Sequence, residues 1–245
     1  MQKTLILIPS RLSASRLPNK PLLKINGRSI ISQVVKRAKE SKLGKVYVAT
    51  EDIEILNEVK KNGGQAIITS NKHKTGTDRI FECLTKLKNK NVDYVINLQG
   101  DEPNIDINDL KNLYKFTKKN NSDIGTLATE IKNNSIYKNK NIVKVITNFK
   151  ISNHNFPYAK DFKRITNSKQ NVYHHIGVYI YKVQILKKFV NLKQSKNEIK
   201  NKLEQMRAVD NGIKINVALA NKPSIGVDTM EDFVALKKIM EYKSK

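Results

Sequence analysis

Tryptophan is absent from the 245 residues, and cysteine occurs once, as Cys83. A single thiol excludes an internal disulfide and any cysteine-based zinc cluster. Cys83 lies in a half-apolar segment of helical spacing and reads as a packed thiol. Long apolar runs are missing as well. A membrane span needs about 18 apolar residues, and the apolar stretch after Thr4 is closed by Pro9. That stretch is too short for a signal peptide and ends in no cleavage pattern. A cytoplasmic chain without a membrane span is the expectation. Acidic residues are also scarce, 22 against 46 Lys and Arg, for a formal charge of +24 and a pI near 9.9.

Such a charge suits a nucleic-acid binder, which is the alternative from another function class. The distribution of the charge argues for no nucleic-acid partner. The cations are 39 lysines and 7 arginines, scattered over many segments with no basic helix and no aromatic platform. A compositional bias toward Lys and Asn accounts for them, while the excess still steers anionic substrates. The few arginines carry more information, because arginine grips phosphate and carboxylate with two parallel hydrogen bonds. Arg11, Arg16 and Arg79 fall in loops or loop–helix junctions.

Apolar runs and helical spacing alternate over the first half. Strands are expected at Lys3–Ile8, Lys45–Ala49, Gln65–Ile68 and Val92–Leu98. Helices are expected at Ser29–Lys42, with Ser29 as cap, and at Glu51–Lys61, Thr77–Lys88 and Asp106–Lys119. This is the pattern of βαβ units in a mostly parallel sheet. After residue 122 the pattern changes to strands at Ile124–Ile131, Ile142–Phe149 and Val172–Tyr181. Lys150–Gln170 reads as a protruding loop. A helix at Asn197–Asp210, a strand at Ile213–Ala218 and a helix at Met230–Tyr242 close the chain. The expected fold is one doubly wound α/β domain over 1–245, with a β-rich insertion at about 123–185.

Ligands of open α/β sheets bind beyond the carboxyl ends of the strands. The loop from Pro9 to Pro21 has no glycine, so it is neither a P-loop nor a dinucleotide fingerprint. It offers backbone amides with Arg11, Arg16 and Lys20, which suits a triphosphate. A solvated basic loop is the plainer reading. Farther on, Gln99-Gly100-Asp101-Glu102-Pro103 follows an apolar strand and places an acid where a nucleotide-bound Mg2+ needs one. Asp228, in Gly226-Val227-Asp228-Thr229, is a second candidate ligand. The plainer readings are an ordinary turn for Asp101 and a helix cap for Asp228.

These loops resemble the cytidylyltransferases that activate sugar acids with CTP, most closely the 3-deoxy-manno-octulosonate (Kdo) cytidylyltransferase family. The likeness runs nearly end to end. It is carried by Ile8-Pro9-Ser10-Arg11, Ser15-Arg16-Leu17-Pro18-Asn19-Lys20-Pro21-Leu22, Val48-Ala49-Thr50-Glu51-Asp52, His73 to Arg79, Asn97 to Pro103, His175 to Tyr179, Leu203 to Arg207 and Gly226 to Thr229. The resemblance implies a Rossmann-like nucleotidyltransferase making CMP-Kdo and pyrophosphate for lipopolysaccharide synthesis, as a homodimer. It implies that Pro9, Arg11, Arg16, Lys20, Thr75, Gly76, Thr77 and Gln99 bind CTP. Asp101 and Asp228 would hold Mg2+ and, with Arg11 and Lys20, form the catalytic set. Arg79, Gln99, His175, Tyr179, Glu204 and Gln205 would bind the sugar acid. Tyr179 also reads as core, and Glu204 as a solvated helix face.

Two departures fall on the sugar side. Ser152-Asn153-His154-Asn155-Phe156-Pro157 stands where the family carries Ser-Arg-x-x-x-Pro. His174-His175 stands where it usually carries Arg-His. Lys160, Lys163 or Arg164 would supply the missing charge. Another ulosonic acid, an amino-Kdo or a sialic-acid-like sugar, is the alternative acceptor.

Overall fold

A computed structural model describes residues 3–13, 16–88, 91–224 and 226–242. The chain folds as two compact units, Met1–Ile107 with Ser224–Lys245, and Asn108–Pro223.

The first unit opens with β1 (Thr4–Ser10), every residue of which is buried. A short hairpin follows, β2 (Lys24–Ile25) and β3 (Arg28–Ser29). Its turn, Asn26-Gly27, takes positive φ at both residues, 51° and 73°, the geometry that matches strand twist in a two-residue loop. Then come α1 (Ile30–Glu40), β4 (Lys45–Thr50), α2 (Ile53–Lys61), β5 (Ala66–Ile68), α3 (Gly76–Lys86) and β6 (Tyr94–Asn97). The Ser29 side chain caps α1 by accepting from the Ser32 amide. Strand β1 pairs in parallel with β4 and β6, and β4 with β5. Parallel strands covered on both faces read as unbroken apolar runs, which is why β1 and β6 stand out in the sequence. Cys83 is buried in α3, and burial pushes its thiol up to about 12.

The second unit holds α4 (Ile107–Lys119), β7 (Ile124–Thr129), β8 (Lys144–Thr147), β9 (Ala159–Lys163), β10 (Val172–Lys182), α5 (Val183–Val190), α6 (Lys196–Asn201), α7 (Met206–Asp210) and β11 (Ile215–Leu219). Strand β10 runs antiparallel to β7 and β8, β9 antiparallel to β8, and β11 parallel to β7. Three expectations change here. The segment expected as a loop, Lys150–Gln170, contains β9. Only Ala159 and Phe162 of that strand are buried, so its apolar signal is two residues deep. The single helix expected over Asn197–Asp210 is two helices. The Ser195–Glu198 capping box starts α6, and Lys202 at φ 52° ends it. The amphipathic segment after β10 forms α5, a helix the sequence reading passed over.

The last helix, α8 (Met230–Tyr242), completes the first unit. Leu236 packs there with Leu17, Ile25, Ile30 and Val227, so one small core fixes both Leu17 of the first loop and Val227 beside Asp228.

Candidate active site

The ends of β1 and β6 and the start of α3 border a cleft of about 350 Å³ in the first unit. Its wall includes Pro9, Arg11, Arg16, Lys20, Thr75, Gly76, Arg79, Gln99, Asp101 and Asp228. Residues spread over most of the chain length meet here because two glycines allow close approach to Pro9. A Cβ on Gly100 would lie 2.9 Å from the Pro9 carbonyl oxygen, and one on Gly76 would lie 3.2 Å from the Pro9 ring. Gly100 therefore brings Asp101 against the end of β1.

Lys20 is the centre of the charged group. Its Nζ donates to Asp101 Oδ2 at 2.6 Å and to Asp228 Oδ1 at 3.3 Å. Arg16 lies 3.2 Å from the other Asp228 oxygen. Burial lowers the Lys20 pKa, but Asp101 and then Asp228 more than restore it, so the ammonium stays charged. Asp228 is not spent on capping α8. Thr229 Oγ1 accepts from the Asp232 amide, and Asp232 Oδ2 accepts from the Asp228 and Thr229 amides. That reciprocal pair satisfies the helix start and leaves the Asp228 carboxylate facing the two cations.

Other contacts shape the cleft. Asp52 accepts from the Leu12 amide at 2.8 Å and tethers the first loop. Thr75 caps α3 by accepting from the Asp78 amide, and Thr75 and Gly76 bring that helix start to the cleft wall, where a helix start favours anions. Arg79 is turned inward. Its guanidinium bonds Glu51, Thr69 Oγ1 at 2.8 Å and the Ser70 carbonyl at 3.3 Å, locking the ends of β4 and β5 together. Thr77 is buried, and Gln99 donates to Asn97 Oδ1 at 3.3 Å.

Ser10, His73 and Lys74 are among the cleft residues not singled out in the sequence. Ser10 Oγ is buried and makes no hydrogen bond among the described residues, a group that a ligand would satisfy. His73 bonds Glu82, which also takes the Ser70 amide and Lys86. Burial raises the Glu82 pKa, but Lys86, the Ser70 amide and His73 outweigh it and hold the carboxyl down at about 2. Lys74 stands beside His73 on the wall. The quoted His73–Arg79 motif was the available signal for the last two.

His175, Tyr179, Glu204 and Gln205 lie in the second unit. His175 and Tyr179 are each only 8% exposed, with ring centroids 5.5 Å apart. Thr126 Oγ1 sits 2.8 Å from the Val178 carbonyl and 3.0 Å from His175 Nε2. Thr126 Oγ1 also lies 3.3 Å from the Ile176 carbonyl, so the hydroxyl sits among two carbonyls and the ring nitrogen. Burial, then His174, drives the His175 pKa down to about 3; burial, then Lys144, takes His174 to about 4. Burial and the charges of Tyr181 and Glu204 raise that of Tyr179. Of the cations expected to replace the missing arginine, Arg164 is spent on the carbonyls of Lys140, Asn201 and Lys202, and Lys163 pairs with Asp161.

Residues 5–215 match the family model described as Cytidylyltransferase. The 3-deoxy-manno-octulosonate cytidylyltransferase of Afipia carboxidovorans is 41% identical over 97% of this chain and 96% of its own length. This chain belongs to the 3-deoxy-manno-octulosonate cytidylyltransferase family. The member from Thermodesulfovibrio yellowstonii is 42% identical over 97% of this chain and 98% of its own. A solved structure of CMP:2-keto-3-deoxy-manno-octonic acid synthetase complexed with CTP is similar with a TM-score of 0.87 and 33% identity, over 98% of this chain and 99% of that one. The fold is that of the nucleotidyltransferases, and the chain is a nucleotidyltransferase by family. No helix among the described residues is long and apolar enough to cross a membrane.

Proposed function

We propose that this cytidylyltransferase transfers CMP from CTP to Kdo, giving CMP-Kdo and pyrophosphate. One observation carries the reading: Arg11, Arg16 and Lys20 share one cleft at the strand ends with the carboxylates Asp101 and Asp228, on motifs that match the family. The anomeric hydroxyl oxygen of the sugar bonds to the α-phosphorus in line as the bond from that phosphorus to the bridging oxygen breaks. The hydroxyl proton is released, and pyrophosphate leaves toward Arg11, Arg16 and Lys20. Charge-assisted bonds from these side chains neutralise the departing phosphates. Pro9, Thr75, Gly76, Thr77 and Gln99 enclose the nucleotide, and Ser10 Oγ offers it a further hydrogen bond.

Asp101 and Asp228 suit Mg2+. Magnesium is held by one or two carboxylates, with phosphate oxygens and water completing its shell, and these two converge on one nitrogen. When bound, the ion lowers the pKa of the attacking hydroxyl and spreads the negative charge of the transition state. The resemblance supports the rest of the proposal: acceptor binding by Arg79, Gln99, His175, Tyr179, Glu204 and Gln205, a homodimer using the β-rich 123–185 region, and a cytoplasmic setting.

The test is pyrophosphate release with each nucleoside triphosphate against a panel of ulosonic acids. CTP with Kdo is expected to be the best pair. A better rate with an amino-Kdo or a sialic acid would reassign the acceptor. Release with any triphosphate regardless of acceptor would refute the reading.

A further inference from the structure

We propose that Lys20 closes the carboxylate pair to divalent metal in the ligand-free chain, so that metal enters the cleft only together with the nucleotide. This rests on the reading of Asp101 and Asp228 as the metal-holding pair. The Lys20 nitrogen stands 2.6 Å from Asp101 Oδ2 and 3.3 Å from Asp228 Oδ1. Arg16 covers the second Asp228 oxygen at 3.2 Å. Two negative and two positive charges therefore cancel within one cluster, leaving no net negative charge to draw in a cation.

Space leads to the same conclusion. A magnesium ion sits about 2.0–2.1 Å from each carboxylate oxygen. An ion at that distance from the Asp101 oxygen that Lys20 holds at 2.6 Å would stand within about 5 Å of the ammonium, and like charges at such a separation repel. Either the ammonium or the ion holds the pair. Free magnesium gives up its water reluctantly, so it is a poor competitor for a site that is already neutral. Lys20 is also the most enclosed of the four side chains. It is 13% exposed, against 28% for Asp101, 45% for Asp228 and 55% for Arg16.

A polyphosphate changes that balance. It offers Lys20 and Arg16 anionic partners in place of the carboxylates they leave. The exchange needs little backbone motion. Leu17 is buried in the small core under α8, and Lys20 begins a one-turn helix at Lys20–Leu22. The four-carbon stem of the lysine swings while its backbone stays. Lys20 thus acts as a gate that couples metal entry to nucleotide entry.

Mn2+ binding to the full chain, followed by electron paramagnetic resonance without acceptor, tests this. Without nucleotide, the wild type is expected to bind Mn2+ about tenfold or more weakly than Lys20→Met and Lys20→Gln, since both remove the competing charge. With CTP, the wild type is expected to hold Mn2+ and Asp101→Asn is not. Two outcomes overturn the gate. If nucleotide-free wild type binds Mn2+ as tightly as both Lys20 variants, or more tightly, Lys20 does not compete; the metal reading survives if Asp101→Asn still loses Mn2+ in the presence of CTP. If Asp101 never affects Mn2+ binding, with or without CTP, the metal reading and the gate fall together. Thermal melts of each variant show that it is folded, and the two Lys20 substitutions protect against one of them misfolding.

Discussion

In the first unit, ionisable side chains gather at strand ends around an open cleft, and Lys20 keeps its charge there. In the second, His174, His175 and Tyr179 lie along β10 and are pushed toward their neutral forms. The cause of the difference is position in the sheet. A strand end exposes loops to water and to convergent partners, so Lys20 has Asp101 and Asp228 to offset its desolvation. A strand interior offers packing and few counter-charges. There His175 meets Phe162 edge-on and Thr126 through one hydrogen bond. The first arrangement suits phosphate chemistry. The second fixes neutral donors and acceptors, as the Thr126–His175 hydrogen bond illustrates.

The sharpest way to break this contrast is nucleotide selectivity. A polar cleft that hydrogen-bonds the base discriminates by about 10⁴-fold when buried partners would otherwise be left unpaired. The kcat/KM for CTP is therefore expected to exceed that for UTP or ATP by that order, and equal values would contradict a base-reading cleft. Next in size, Arg16→Ala is expected to raise KM for CTP roughly tenfold or more. Its stability should change by no more than about 1 kcal/mol, because its ion pair with Asp228 is exposed. His175→Ala should do the reverse and cost about 2–4 kcal/mol by opening a cavity and removing one of the hydrogen bonds of Thr126, while KM for CTP holds. If His175→Ala shifts KM for CTP and leaves the melting temperature alone, the division of labour between the units is wrong.

The remaining expected effect is on pH. Both imidazoles have folded pKa values below the ordinary 6.5, at about 4 for His174 and about 3 for His175. The unfolded chain therefore binds protons first, and stability present above pH 6.5 is lost as pH falls toward those values. The loss is on the order of 1 kcal/mol per pH unit for each ring. Urea melts between pH 7 and pH 5 should show it, and a His174→Gln, His175→Gln double variant should flatten that part of the profile.

Much of this contrast was legible in the sequence, for physical reasons. Buried parallel strands announce themselves as apolar runs, and arginines that are rare in a lysine-rich chain mark the cleft. The Asp228 question was not legible, since a capping aspartate and a cleft aspartate look alike until Thr229 and Asp232 are seen to cap α8. Strand β9 was hidden because Lys160, Asp161 and Lys163 occupy three of its five places. The break at Lys202 was hidden because a lysine, with no glycine to flag it, takes the left-handed conformation. The clasp of Lys20 on Asp101 and Asp228 joins residues 81 and 208 positions apart, a convergence that no local pattern encodes.

The central claim is that the two carboxylates of the first unit serve the transfer itself. The direct measurement is kcat for CTP and Kdo in wild type, Asp101→Asn, Asp228→Asn and the double variant, with melting temperatures alongside. The account predicts that each single variant loses about 10³-fold or more in kcat while staying folded, with the double variant little worse, because groups acting as a unit are strongly non-additive. An Asp101→Asn enzyme that turns over at the wild-type rate would contradict it.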